Sequence, residues 1–219
     1  MDIRHEERLE LLISRYKVLE PIYQDILDAY QIMEQCFLNN GKLLVVGNGG
    51  SAADAQHIVG ELMKSFVLRR QLPQTYREKL CAIDQELGIA LADKLEGALP
   101  AISLEGSSTL MTAWMNDTDP ALCFAQQVNG LGNPQDILLC ISTSGNSRNV
   151  LYAAVTAKAK GMKVIGLTGA NKSKLQSLAD LCVMVPAQET YLIQELHLPI
   201  YHCWCLMLEQ SFFGTDNNE

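Results

Sequence analysis

Between Lys42 and Phe66 the chain reads KLLVVGNGGSAADAQHIVGELMKSF, and this stretch restricts the possible folds more than any other. A short apolar run, Leu43 to Val46, stops at Gly47-Asn48-Gly49-Gly50, and Ser51 then stands as the expected cap of a helical pattern carrying His57 and Glu61. The order is strand, glycine loop, helix. Glycines let the backbone approach a ligand closely, and the free N–H groups that open a helix favour an anion, so the loop suits a phosphate or a polar sugar. It has neither the GxGxxG spacing of a dinucleotide site nor the Lys-Ser/Thr ending of a P-loop. His57 and Glu61 are four residues apart, share one helix face, and are placed to share a metal ion or a proton-transfer task. The plainer alternative is an amphipathic helix with one His and one Glu facing water.

The same order recurs from Asp136 to Lys160. An apolar strand ends at Ile141, Ser142-Thr143-Ser144-Gly145-Asn146 follows, and Ser147 stands at the next helix N-terminus. Hydroxyls, a glycine and a helix N-terminus together can hold a phosphate through neutral donors; a serine-rich capping turn is the duller reading. Residues 101–105 (AISLE), 163–167 (KVIGL) and 181–186 (LCVMVP) are further strand candidates. Strands alternating with helices imply an α/β fold with a mostly parallel sheet, in which ligand loops gather at the carboxyl ends of the strands.

Helical patterns frame this core. Residues 1–40 form an N-terminal helical extension in which Pro21 starts or kinks the second helix and Asn39-Asn40-Gly41 ends it. Packing against another subunit is the expectation for helices placed before the first strand, with a lid over the chain's own domain as the alternative. Residues 67–99 read as a charged helical insertion with Leu87, Ala90, Leu91 and Leu95 at helical spacing. Two helices separate near Asn116-Asp117, with Pro120 at a helix start. The final helix, Thr190 to Phe213, places Gln194, Glu195, His197 and His202 inside an apolar pattern. Gln194 and His202 differ there by roughly 12 Å of rise, so one straight helix cannot bring both to one site unless Pro199 kinks it or neighbouring subunits each supply one.

Composition narrows the function. A chain of 219 residues, 48% hydrophobic and 19% charged, buries a core as a single domain over 1–219. With 25 acidic against 17 basic residues the net charge is −8, which argues against an extended nucleic-acid surface. The charged N-terminus lacks the apolar region of a secretory signal and no apolar run reaches membrane-spanning length, so a cytoplasmic protein without membrane association is expected. The seven cysteines have no zinc-type pairing and read as reduced core residues; Cys203 and Cys205 point about 200° apart on a helix.

Taken together, GNGGSAADAQH with Glu61, Asn116-Asp117, STSGNS at 142–147 and QELHLPIYH at 194–202 resemble the sugar isomerase (SIS) domain family, most closely the phosphoheptose isomerases. The resemblance implies a three-layer αβα sandwich with end helices for oligomer packing, a homotetramer, and conversion of sedoheptulose 7-phosphate to a manno-heptose 7-phosphate. It implies substrate contacts at Asn48, Gly49, Gly50, Asn116, Asp117, Ser142, Thr143, Ser144, Ser147 and Gln194, with the serine loop on the phosphate. It also implies zinc at His57, Glu61, Gln194 and His202, and Glu61 with His202 as the acid/base pair. A tightly ligated Glu61 cannot be a free base, so its two implied roles compete. Members often carry an arginine one turn after the glutamate, where this chain has Ser65; Lys64, Arg69 or Arg70 are the available substitutes. Non-catalytic binding is the alternative, either a replication-initiator-associating SIS protein or a sugar-phosphate sensor.

Overall fold

The computed structural model describes residues 3–214; the ends of the expected 1–219 domain lie outside the described residues. Five strands, β1 (Leu43–Val46), β2 (Ala101–Ser103), β3 (Ile137–Ile141), β4 (Lys163–Thr168) and β5 (Leu181–Met184), form one sheet in the order β2-β1-β3-β4-β5. Every pairing is parallel. The helices are α1 (Ile3–Arg15), α2 (Tyr23–Leu38), α3 (Gly50–Met63), α4 (Gln74–Ile83), α5 (Gln85–Lys94), α6 (Ser108–Asp117), α7 (Cys123–Leu131), α8 (Arg148–Ala159), α9 (Lys174–Leu178) and α10 (Thr190–Phe213).

The near-continuous apolar strands follow from burial on both faces. Alternation along them sorts side chains into two cores. Leu43, Val45, Ile137, Leu139, Ile141, Ile165, Leu167 and Val183 point to α1, α2, α3 and α10. Leu44, Val46, Leu138, Cys140 and Val164 point the other way, to α7, α8 and α9. This is the expected αβα sandwich. Among the described residues no helix is long and apolar enough to cross a membrane.

Several boundaries differ from the sequence reading. The α3 cap is Gly49, not Ser51: Gly49 takes φ +56°, the helix begins at Gly50, and Ser51 is buried in the first turn. The third residue of β2 is its last, because the chain turns away at Leu104, whose N–H still bonds to Val45 O. Similarly β5 ends at Met184. Pro21 sits in a 3-10 turn, Lys17–Ile22, and α2 starts after it. Leu9, Leu12 and Ile13 of α1 and Ile26, Tyr30 and Met33 of α2 are buried in the chain's own core, so these helices cover the domain from within one subunit. The insertion is an α4–α5 hairpin. Its leucine stripe faces solvent, with Leu87 64% exposed; the buried positions of α5 are Gly88 and Ala92, which allow close helix approach.

A buried ion pair ties this hairpin's root to the core. Glu209 of α10, 0% exposed, accepts the N–H groups of Phe66, Val67 and Leu68 at 2.7, 2.9 and 3.1 Å and Arg70 Nε at 2.8 Å. The Arg70 guanidinium also donates to the carbonyls of Glu61 and Leu62, both at 2.6 Å, satisfying the open C-terminal end of α3. Removing one partner strands a buried charge, which costs about 3–5 kcal/mol. Arg70→Met is therefore expected to lower the unfolding free energy in urea by that amount, and a loss under about 1 kcal/mol would show that the pair does not hold this region.

Candidate active site

The strand order places a topological switch between β1 and β3, where successive connections leave in opposite directions and open a crevice at the strands' carboxyl ends. The glycine loop after β1 and the serine loop after β3 meet there. Asn48 and Asn149 exchange amide hydrogen bonds at 3.0 and 2.8 Å, joining the first loop to the helix that follows the second. Under the first loop, Gly47 N–H donates to Glu105 Oε1 at 2.6 Å, and burial raises the pKa of that carboxyl.

The serine loop is built by its own hydroxyls. Ser142 is buried, its Oγ accepts Gly145 N–H at 3.2 Å and lies 3.4 Å from Ser147 Oγ. Ser144 Oγ accepts Asn146 N–H at 3.2 Å, and Thr143 O accepts Gly169 N–H at 3.1 Å. Gly145 takes φ +61° against Ser173, a position a Cβ would clash with at 2.3 Å. Ser147 is the N-cap residue of α8 but makes no side-chain cap bond; its hydroxyl, within reach of Ser142 Oγ, stands at the positive end of the helix dipole. The first turn of α8 is braced by the segment after α6, since Arg148 pairs with Asp119, which caps the 3-10 turn Pro120–Leu122, at 2.6 Å. Asn116 and Asp117 end α6, exposed and bonded to each other at 2.9 Å.

The acid/base candidates gather where α3 and α10 run side by side. His57 Nε2 lies 3.3 Å from Glu61 Oε1, and the His57 and His202 rings cross edge to face with centroids 4.9 Å apart. Phe66 also packs on His202, with ring centroids 5.5 Å apart. Glu61 Oε2 and His202 Nε2 are buried without a hydrogen-bond partner among the described residues; Lys64 Nζ stands 3.8 Å from the former. Burial, aided by neighbouring His57 and opposed by Glu61, lowers the pKa of His202 and favours the neutral ring. His197, fully buried, is likewise held neutral, its pKa lowered to about 4 by burial.

His57, Glu61 and His202 thus converge, whereas Gln194 does not join them. It lies against Gly50, where an added Cβ would sit 2.4 Å from its Nε2. α10 is continuous through Pro199, leaving Gln194 about 12 Å of helix rise from His202. The donor types and the two orphaned atoms fit a zinc ion. They do not close into a cage: among the described residues no group of three His, Cys, Asp or Glu side chains is placed so that it could hold a metal ion.

The substitutes considered for an arginine after the glutamate resolve differently. Arg70 is buried on Glu209 and backbone carbonyls, Arg69 lines a polar cleft with the α4–α5 hairpin, and Lys64 alone faces Glu61. Sequence reasoning missed Tyr201, Asp54, Glu105 and Asn149. Asp54 precedes His57 by three residues, and Tyr201 adjoins His202, so helical spacing was a usable signal for both. Nothing local marked Glu105 or Asn149.

A SIS domain model matches residues 86–169. The chain is 37% identical over 206 residues to a phosphoheptose isomerase of Aromatoleum aromaticum, covering 93% of this chain and 91% of that one. Among solved structures, a phosphoheptose isomerase from Francisella tularensis superposes with TM-score 0.73 at 34% identity, over 94% of this chain and 96% of its own. Another, from Neisseria gonorrhoeae, gives TM-score 0.70 at 32% identity, over 95% and 92%. Identity at this level along nearly the whole length of both partners, on the same parallel sheet, establishes that this chain belongs to the phosphoheptose isomerase family of SIS-domain proteins.

Proposed function

We propose that this chain isomerises sedoheptulose 7-phosphate to D-glycero-D-manno-heptose 7-phosphate, with Glu61 and His202 moving the protons. The observation that carries the reading is the convergence of His57, Glu61 and His202 beside the β1–β3 crevice. Family membership supports the substrate class.

In this reading the phosphate rests on the serine loop, taking donors from Ser142, Thr143, Ser144 and Ser147 and the N-terminal dipole of α8. Asn48, Gly49, Gly50 and Gln194 line the sugar's path on one side, and Asn116 and Asp117 on the other. Moving the carbonyl from C2 to C1 requires removal of a C1 proton, an enediol, and return of a proton to C2. Glu61 is the carboxylate that takes the proton. His202, favoured as a neutral imidazole by burial, exchanges protons at the substrate oxygens. His57, Glu61 and His202 are the residues that would hold a zinc ion, whose chemistry when bound is polarisation of the substrate carbonyl. Glu61 serves as base when it is free of tight ligation.

Gln194 stands apart from this cluster within one chain, which supports a homotetramer whose subunits share the site. Light scattering that returned the mass of a single 24.2 kDa chain would exclude sharing. Seven free cysteines, most of them buried, suit a reducing compartment such as the cytoplasm; recovery of the protein in a membrane or exported fraction would contradict this.

NMR of sedoheptulose 7-phosphate in deuterated water, with and without added zinc, tests the reaction directly. New aldose signals or deuterium beside the carbonyl are expected; saturable binding without exchange would instead favour a sugar-phosphate sensor. Glu61→Gln and His202→Ala are each expected to lower kcat by roughly 10²–10⁴ while circular dichroism and mass stay unchanged, and near-normal rates in both would sink the assignment. Ser147→Ala removes one neutral donor, so KM is expected to rise about tenfold at similar kcat; an unchanged KM would move the phosphate elsewhere.

A further inference from the structure

Both nitrogens of His57 are engaged. Nε2 faces Glu61 Oε1 at 3.3 Å, and Nδ1 lies 3.0 Å from the Tyr201 hydroxyl. Tyr201 is itself 1% exposed, and its hydroxyl donates to Asp54 Oδ1 at 3.2 Å. A phenol carries a single proton to donate. With that proton directed to Asp54, the phenol oxygen offers His57 only a lone pair. The neutral imidazole must then carry its hydrogen on Nδ1, leaving the Nε2 lone pair turned toward a carboxylate oxygen. Two acceptors face one another there, an arrangement that either a proton or a bridging cation relieves.

We propose that Tyr201, anchored by Asp54, is a positioning residue that fixes the His57 tautomer and aims Nε2 with Glu61 as a ready two-donor seat for a divalent cation. Helix geometry makes the device possible. Asp54, His57 and Glu61 lie along one face of α3, and α10 brings Tyr201 behind the His57 ring and His202 against its edge. A partner that orients a metal-binding histidine in this way changes metal affinity by roughly 10–100-fold. The cation half rests on the zinc reading above. The tautomer is a property of the metal-free protein.

The test uses full-length protein labelled with ¹⁵N-histidine, the His57 signals being assigned by their loss in His57→Asn. In the metal-free wild type, His57 is expected to be protonated at Nδ1. Tyr201→Phe removes the lock and lets the other tautomer appear. Asp54→Ala keeps the phenol but frees its proton for His57, turning the ring to the Nε2–H form. Competition with a chromophoric chelator is expected to show zinc affinity falling roughly 10–100-fold in both variants, with circular dichroism and mass unchanged. A wild-type His57 protonated at Nε2, or variants that keep both the tautomer and the zinc affinity, would overturn the proposal. A wild type that binds no zinc overturns the cation half together with the zinc reading, while the metal-free tautomer still decides the positioning half.

Discussion

The carboxylate of Glu209 is the constraint on which the active-site end of the molecule depends. It is removed from water, so its charge must be met from within, and the chain meets it with three consecutive backbone N–H groups and Arg70. The same guanidinium closes the carbonyl end of α3 at Glu61 and Leu62. The last turn of α3, which carries the Glu61 carboxylate, is thereby locked to α10, which carries His202. Two groups 141 positions apart in the chain are held in one place by a charge neither of them bears.

The site then divides its work between two physical devices. Around the serine loop, neutral donors and a helix dipole form a set that can hold a phosphate in a chain whose net charge is −8. Between α3 and α10, a carboxylate and imidazoles are partly withdrawn from water, which leaves polar atoms unsatisfied and shifts His202 toward its neutral form. The Asn48–Asn149 amide pair and the Glu105 bond to Gly47 hold the glycine loop in place near both. Rigidity of this kind costs stability unless each buried polar group is satisfied, so the orphaned atoms of Glu61 and His202 mark where a ligand or proton completes the set.

Much of this was legible in the linear chain because it depends on short-range spacing. Strands β1, β3 and β4 are runs of apolar residues that only a sheet buried on both faces explains, and their polar successors mark the ligand loops. His57 and Glu61 were paired by the helical repeat alone. Where the reading erred, tertiary context overrode local preference: Gly49 displaced Ser51 as the α3 cap because the loop demanded positive φ.

By itself the sequence determined the α/β class, the two polar loops that follow β1 and β3, and the polar residues of α3 and α10, since each is encoded in patterns of at most a few helical turns. Tertiary structure alone decided which of them meet. It brought His202 to His57 and Glu61 and set Gln194 against Gly50, turned Arg70 to Glu209, and placed Tyr201 between Asp54 and His57. Contacts between α3 and α10 span roughly 140 positions of chain, and a one-dimensional pattern carries no information about register between two helices that only the packed core brings together.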